Sequence, residues 1–375
     1  MKKVGLITIY HVPNYGSVLQ TFATQVLLEK FGLECHIINY RYPNKWHYSQ
    51  GTLKPGVKTL IGCLFGLKAS HRKANKLRRF RINNFHFTQK FNDLKELETA
   101  DWSEYDMFVV GSDQVWKSYF THADSVFMLS FIPDTKYRVS IASSFATNSV
   151  PEIYRKKYIQ YLSKFNSISV RERNAVNIIR NELKLDYEPE VILDPTLLIT
   201  KDEWLDTIPR SKFKKRKKYI LLYMLTYAFE PRPYIYEVLK HLQSKEDYSV
   251  IALEGNIPVE YRKGIDFIDK TDASISEFID LFHNADIVLT TSFHGTAFAV
   301  NFGKPLVSVI PSDAGDDRQQ SLLNEIGLSH LIVSIGDDLN SINPFYDQNA
   351  AMLSLNIMRN KSLEWIKGNM LIGDF

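Results

Sequence analysis

Short apolar, β-rich runs alternate with stretches in which apolar residues recur every three or four positions, and this alternation continues through both halves of the chain. In the first half the runs fall at 3–9, 35–40, 107–110, 138–143, 167–170 and 190–194, and they predict strands. Between the first two, Val18, Leu19, Phe22, Ala23, Val26, Leu27 and Phe31 keep helical spacing over 16–31, and Gly32 supplies a C-terminal stop. Strand, helix, strand in this order reads as a right-handed crossover on a parallel sheet. The pattern restarts after a basic stretch, with strands expected at 219–225, 248–253, 286–291 and 305–310 and helices at 232–245, 274–284, 295–303 and 317–327. An amphipathic segment, 352–369, closes the chain.

The expected architecture is therefore α/β: two Rossmann-like domains, 1–205 and 206–375, facing each other across a cleft, with the last helix packing back on the first domain. A length of 375 residues agrees, since it exceeds what one hydrophobic core usually organises.

Composition narrows the class. Hydrophobic residues make up 45% and charged residues 23%, as in ordinary globular proteins. Two cysteines, Cys35 and Cys63, offer neither a disulfide framework nor a cysteine-rich zinc site and suit a reducing cytoplasm. The first nine residues read as a buried strand rather than a signal peptide, and no stretch approaches the roughly 18 apolar residues of a membrane span.

The net charge of +4 is unevenly spread. Segments 68–81 and 210–218 each hold seven Lys/Arg and no acid; the other 32 basic residues face all 42 acidic ones. Basicity this local, without an RNA-binding or helix-turn-helix signature, argues against a nucleic-acid partner. The apolar stretch 57–67 runs directly into the first basic segment, so 57–81 reads either as a weak membrane-surface element or as a partly buried helix with a solvated basic face.

In open parallel sheets ligands bind beyond the carboxyl ends of the strands. Three such junctions are rich in polar groups. After the first strand come Asn14, Tyr15, Gly16, Ser17 and, one turn on, Gln20; a helix starting at Gly16 and Ser17 offers unpaired N–H groups to an anion, or is simply capped. After strand 107–110 come Gly111, Ser112, Asp113, Gln114 and Trp116, where Ser112 or Asp113 serves equally well as a helix cap. After strand 286–291 come Ser292, Phe293, His294, Gly295 and Thr296, which put a histidine at a helix start as a candidate acid/base or anion-binding group. Arg171, Arg173, Asp194 and Arg318 are further candidates that suit surface salt bridges equally. A Walker A sequence, a Gly-x-Gly-x-x-Gly fingerprint, a Gly-x-Ser-x-Gly elbow and zinc-ligand spacing are all missing, so metal-free chemistry is expected.

Taken together the motifs resemble those of the polysaccharide pyruvyl transferase family. The resemblance runs through Asn14–Gln20, Gly111–Trp116, Ser169–Glu172, Leu193–Leu198, Thr291–Phe298 and Arg318 ahead of Ser321–Leu323, over about residues 3–330. It implies a GT-B-like fold, no cofactor, and transfer of pyruvate from phosphoenolpyruvate to sugar hydroxyls as a cyclic ketal. On that basis His294 is the expected acid, and Asp113 a base or an acceptor-orienting group. Ser292, Gly295, Thr296, Arg171, Arg173 and Arg318 are then expected to bind the donor, and Asn14, Tyr15, Gly16, Ser17, Gln20, Ser112, Gln114 and Trp116 to line the acceptor side. One departure stands out: several family members have an arginine two positions before the motif histidine, where this chain has Ser292. A glycan acceptor, lipid-linked in some systems, would place the protein in the cytoplasm, at times at the inner membrane face. Closure of the two halves would bring donor and acceptor together away from water. The rival readings are a GT-B glycosyltransferase using a nucleotide sugar and a non-catalytic glycan-binding protein.

Overall fold

A computed structural model of the chain describes residues 1–40, 68–254, 257–313 and 315–371. The first half builds a seven-stranded sheet from β1 (Lys3–Ile7), β2 (Glu34–Tyr40), β3 (Phe87–Phe91), β4 (Met107–Gly111), β5 (Tyr137–Ser143), β6 (Ser167–Val170) and β7 (Glu190–Val191). The second builds a six-stranded sheet from β8 (Tyr219–Tyr223), β9 (Ser249–Glu254), β10 (Phe267–Asp269), β11 (Ile287–Thr290), β12 (Leu306–Ile310) and β13 (Ile332–Ser334). The orders are β3-β2-β1-β4-β5-β6-β7 and β10-β9-β8-β11-β12-β13, and every pair is parallel. Both are doubly wound Rossmann-like sheets. Each reverses its winding at one place, between β1 and β4 in the first and between β8 and β11 in the second. The crevice at such a reversal is where α/β folds take ligands.

Three short strands escape the hydrophobic pattern. β3 and β10 are edge strands with mostly part-exposed residues, and β13, only three residues long, ends the second sheet. Edge strands need no continuous apolar run, so they leave little periodic signal. The run expected at 190–194 also pairs only over Glu190–Val191; Asp194 then caps the short helix that Pro195 opens.

Helix α1 (Tyr15–Lys30) lies between the halves and is buried on nearly every face from Tyr15 to Leu28. Its interior hydroxyls are satisfied by its own backbone, Thr21 on the Ser17 carbonyl (2.7 Å) and Thr24 on that of Gln20 (2.8 Å). The largest apolar cluster passes through this helix into both sheets' surroundings: Leu6, Leu19 and Phe22 of the first half join Phe278 and Phe298 of the second. This continuous apolar interface joins the two halves.

The basic segment 68–81 forms the N-cap, Lys68, and most of helix α2 (Ala69–Asn84), whereas 57–67 lie outside the described residues. Two of its cations reach the second half and a third is buried against α1. Arg72 pairs with Asp272 at 2.5 Å, Lys76 with Glu277 at 3.4 Å, and Lys73 is buried with its ammonium 4.3 Å from the Tyr15 ring centre. In 210–218, Arg210, Lys215 and Lys217 pair with Asp280, Asp286 and Asp247 at 2.6, 2.6 and 2.7 Å. No helix among the described residues is long and apolar enough to cross a membrane. The closing helix α3 (Gln348–Met370) returns to the chain that follows β7: Ser362 accepts from the Leu193 N–H at 3.0 Å, and Arg359 donates to the Leu197 carbonyl at 2.7 Å.

Candidate active site

The two winding reversals face each other, and their loops enclose two adjoining cavities. One, of about 410 Å³, is lined by Val12, Asn14, Ser17, Asp113, Gln114 and Phe120 from the first half and by Leu225, Tyr227 and His294 from the second. The other, of about 500 Å³, carries Lys117, Thr147, Ser292, Phe293, Asp316 and Arg318. Leu225, Tyr227 and His294 border both.

On the first side the start of α1 is fixed by Asn14, whose side chain accepts from the Ser17 N–H at 3.3 Å. That frees the Ser17 hydroxyl to donate to Asp113 Oδ2 at 2.6 Å. Three expected lining residues are turned elsewhere. Tyr15 stacks on Phe278 (4.8 Å) and donates to the Ala273 carbonyl at 2.7 Å, so it cements the halves. Gln20 is fully buried and ties α1 to Thr8 (3.0 Å). Trp116 lies in the core with its indole N–H on the Phe127 carbonyl at 2.9 Å. These side chains share a motif with cleft residues because the same tight turns must be anchored from behind.

Beneath the cavities lies a buried charge centre. Arg171 donates to Asp194 at 2.7 Å and stands 3.5 Å from Asp113. Asp194 also accepts from the Ser112 hydroxyl at 2.8 Å and from the Thr196 N–H and hydroxyl at 3.0 and 2.7 Å. Burial works to raise both carboxyls. Arg171, His294 and the hydroxyl donors outweigh it, so Asp113 lies below the usual carboxylate range and Asp194 well below it. Both are anions at neutral pH. Arg171 and Ser112 thus serve the centre from below, and Arg171 is not free for a donor as expected from the sequence.

On the second side, helix α4 (Phe293–Asn301) starts at Ser292, whose hydroxyl accepts from the Gly295 N–H at 3.3 Å while its carbonyl takes the Thr296 N–H at 2.9 Å. The N–H groups of Gly295 and Thr296 are therefore already used, contrary to the anion-binding role expected of them. Gly295 instead allows close packing, since a Cβ there would meet Thr290 Oγ1 at 2.2 Å, and the Thr296 hydroxyl pairs with Ser308 at 2.8 Å. His294, almost fully buried, has its ring against Gly16 and its Nε2 3.7 Å from Asp194 Oδ2, longer than a hydrogen bond. Among the described residues Nε2 has no hydrogen-bond partner.

Arg318 begins helix α5 (Arg318–Glu325) and grips Asp316 through Nε at 2.8 Å and a terminal nitrogen at 2.5 Å. With its amide oxygen turned towards the guanidinium, Gln114 accepts from both terminal nitrogens at 2.8 and 3.2 Å. Phe293 lies between two guanidinium groups, Arg171 at 4.5 Å and Arg318 at 5.7 Å from its ring centre. Arg173 departs from expectation: its side chain is 68% exposed and pairs with Glu325 outside the cavities.

Sequence reading missed Lys117, Tyr227 and the weight of Glu172. Lys117 follows the Gly111–Trp116 turn directly, and burial, then the nearby Arg318 charge, bring its ammonium down to about 8. Tyr227 stands in the loop beyond β8, a strand end that the reversal rule itself marks. Glu172 accepts from the N–H groups of Phe145 (2.9 Å) and Ala146 (3.2 Å) and is pushed up to about 7 by burial, against the pull of Arg171 and Arg318. Among the described residues no cluster of three or more His, Cys, Asp or Glu side chains is placed to hold a metal ion.

Residues 14–313 match the family model described as polysaccharide pyruvyl transferase. No curated protein matches the chain. Among solved structures, the S. aureus MnaA–UDP co-structure is similar at 14% identity and TM-score 0.52, covering 96% of this chain and 97% of that one. UDP-GlcNAc 2-epimerase from Methanocaldococcus jannaschii is similar at 14% identity and TM-score 0.50, covering 95% and 99%. A glycosyltransferase from Rickettsia africae is similar at 12% identity and TM-score 0.51, covering 100% and 99%. At these identities the likeness is one of fold: two Rossmann-like halves arranged as in GT-B glycosyltransferases and epimerases.

Proposed function

The chain belongs to the polysaccharide pyruvyl transferase family, and from that premise we propose that it moves pyruvate from phosphoenolpyruvate onto two hydroxyls of one sugar unit, releasing phosphate and leaving a cyclic ketal. The observation that carries the reading is the placement of His294. It is a titratable side chain with an unpartnered Nε2, bordering both a cavity that holds Lys117 and Arg318 and a cavity that holds Asp113.

The donor, with a phosphate and a carboxylate, suits the cavity with the two cations. Lys117 and Arg318 supply the charge that the arginine missing at Ser292 gives in other family members. The N–H groups of Phe293 and His294, in the first turn of α4, precede those that Ser292 occupies and favour an anion further. His294 protonates the methylene carbon, which becomes the methyl group, and positive character develops at the neighbouring carbon. A sugar hydroxyl held on the other side adds there and gives up its proton. Phosphate then leaves with its bridging oxygen, and a second hydroxyl closes the ring and loses its own proton. Nothing is oxidised or reduced.

Asp113, an anion buried against Ser17 and Arg171, is a weak base at neutral pH. We assign it to orienting the acceptor hydroxyls, with Asn14, Ser17 and Gln114 beside it. A polysaccharide repeat unit, lipid-linked or free, is the proposed acceptor, met on the cytoplasmic side without a resident cofactor.

Purified protein incubated with phosphoenolpyruvate and a panel of glycans tests this directly, reading phosphate release and product mass. Acceptor-dependent phosphate with a matching mass gain is the expected result. Silence there, alongside nucleoside diphosphate release from a UDP-sugar, would replace this reading with glycosyl transfer.

A further inference from the structure

The cleft mouth carries something that pyruvyl transfer to a single sugar does not require. The exposed aromatic rings among the described residues are Tyr119 (59%), Tyr227 (52%) and Phe345 (56%), and the first two sit at the same cavity. Phe120 lies between them, its ring centre 5.4 Å from Tyr119 and 5.9 Å from Tyr227. The row crosses from one half of the molecule to the other. Tyr119 and Phe120 belong to the first half, in the short helix Ser118–Thr121, and Tyr227 to the loop after β8. Its middle ring touches the chemistry, because Phe120 lines the Asp113 cavity and the Lys117 ammonium stands 4.9 Å from its ring centre.

Clustered, solvent-exposed rings are an unfavourable use of surface unless something covers them. A pyranose does so well: its C–H face packs on an aromatic ring while its hydroxyls stay in water, and tyrosine adds an O–H of its own. Phe120 borders the Asp113 cavity, Tyr119 the cavity with Lys117 and Arg318, and Tyr227 both, so the row runs across the mouth that the two cavities share. We propose that Tyr119, Phe120 and Tyr227 form an extended acceptor subsite, which holds the sugar units adjoining the one that is pyruvylated. The proposal rests on the pyruvyl transfer reading for its direction: the protein acts on an oligosaccharide or polymer and recognises more than one unit of it.

The test compares two acceptors ending in the same sugar, a methyl glycoside and a tetrasaccharide, in wild type, Tyr119→Ala and Tyr119→Trp. Wild type should prefer the tetrasaccharide in kcat/KM. Tyr119→Ala should cut the tetrasaccharide-to-monosaccharide ratio by about tenfold, roughly what 1.4 kcal/mol of ring stacking supplies, and Tyr119→Trp should keep it. Equal loss on both acceptors, or an unchanged ratio, overturns the subsite.

Saturation-transfer NMR of the same tetrasaccharides, without phosphoenolpyruvate, separates the two claims. If no acceptor turns over but the tetrasaccharide contacts vanish in Tyr119→Ala, the subsite stands and pyruvyl transfer falls. If turnover proceeds and neither the ratio nor the contacts depend on the rings, the reverse holds. Absence of both turnover and ring-dependent contacts overturns both.

Discussion

Gly16 and His294 meet across the two halves of the molecule: a Cβ on Gly16 would stand 2.1 Å from Nδ1 of the imidazole. The glycine is therefore a seat for the ring, which it holds with Nε2 buried beside Asp194 while the residue borders both cavities. Its backbone does not need glycine, because it lies in the regular helix α1, where alanine is the better residue by about 1 kcal/mol. Gly16→Ala should thus fold but displace His294. We expect kcat to fall by about 100-fold, the low end of what a general acid contributes, with overpacking costing ~1–3 kcal/mol. Steady-state kinetics and thermal melts check both, and a variant with full kcat would show that the ring position is immaterial.

His294→Gln removes the proton donor while keeping a polar side chain of similar reach. Turnover should drop by about 10²–10⁴-fold, and the donor KM should change little, because Lys117 and Arg318 remain in the donor cavity. A variant that lost donor affinity but kept kcat would move His294 from acid to anion-binding group.

Sequence made the architecture legible because buried parallel strands are continuous apolar runs, and the strand ends then pointed to the three polar junctions. It failed on which side chains of each junction face the cleft. Asn14 and Ser17 line the cavity while Tyr15 between them stacks on Phe278, and nothing in local spacing separates the two fates when a helix is buried on nearly all sides. Arg171 and Arg173 make the same point. They lie two residues apart, yet one is sealed among carboxylates and the other faces solvent. Their difference is set by Asp194 and Glu325, partners 23 and 152 residues away. Lys117 was overlooked because it follows the motif rather than belonging to it.

Lys117 gives donor binding a pH dependence. Its ammonium is brought down from the ordinary 10.5 to about 8, chiefly by burial. The charge that attracts an anion is then present below pH 8 and lost as pH rises through it, although bound anion would shift the loss upward. The affinity for phosphoenolpyruvate, measured by calorimetry between pH 6.5 and 9.5, should weaken on the alkaline side. Lys117→Gln should bind more weakly at pH 7 and lose that alkaline limb. An unaltered limb in the variant would assign it to another group.

Arg318 and Arg173 should behave oppositely. Arg318→Lys keeps a charge for Asp316 but loses the two-pronged grip, and we expect the donor KM to rise by about tenfold or more. Arg173→Ala deletes an exposed ion pair, which should cost no more than ~1 kcal/mol of stability and leave the donor KM near wild type. Initial rates against phosphoenolpyruvate concentration decide the pair. A large KM effect in Arg173→Ala would mean that its side chain swings into the cleft during turnover.

Glu172 ties stability to pH through the wall of the cation-bearing cavity. Its carboxylate is fully buried, accepts from the N–H groups of Phe145 and Ala146 through Oε1, and leaves Oε2 without a hydrogen-bond partner. Ala146 and Thr147 line the cavity, so the carboxylate anchors part of its wall. Burial raises the group from the ordinary 4.5 to about 7 despite Arg171 and Arg318. A folded state that holds its proton to higher pH than the unfolded chain is favoured below pH 4.5, and the contribution is lost as pH rises through about 7. The loss is on the order of 3 kcal/mol. Glu172→Gln keeps an oxygen for the two N–H groups and cannot ionise. Its melting temperature relative to wild type should therefore climb between pH 5 and pH 8 and level off above. A difference that stays flat over that range would mean that the carboxyl is ionised throughout, with the guanidinium groups outweighing its burial.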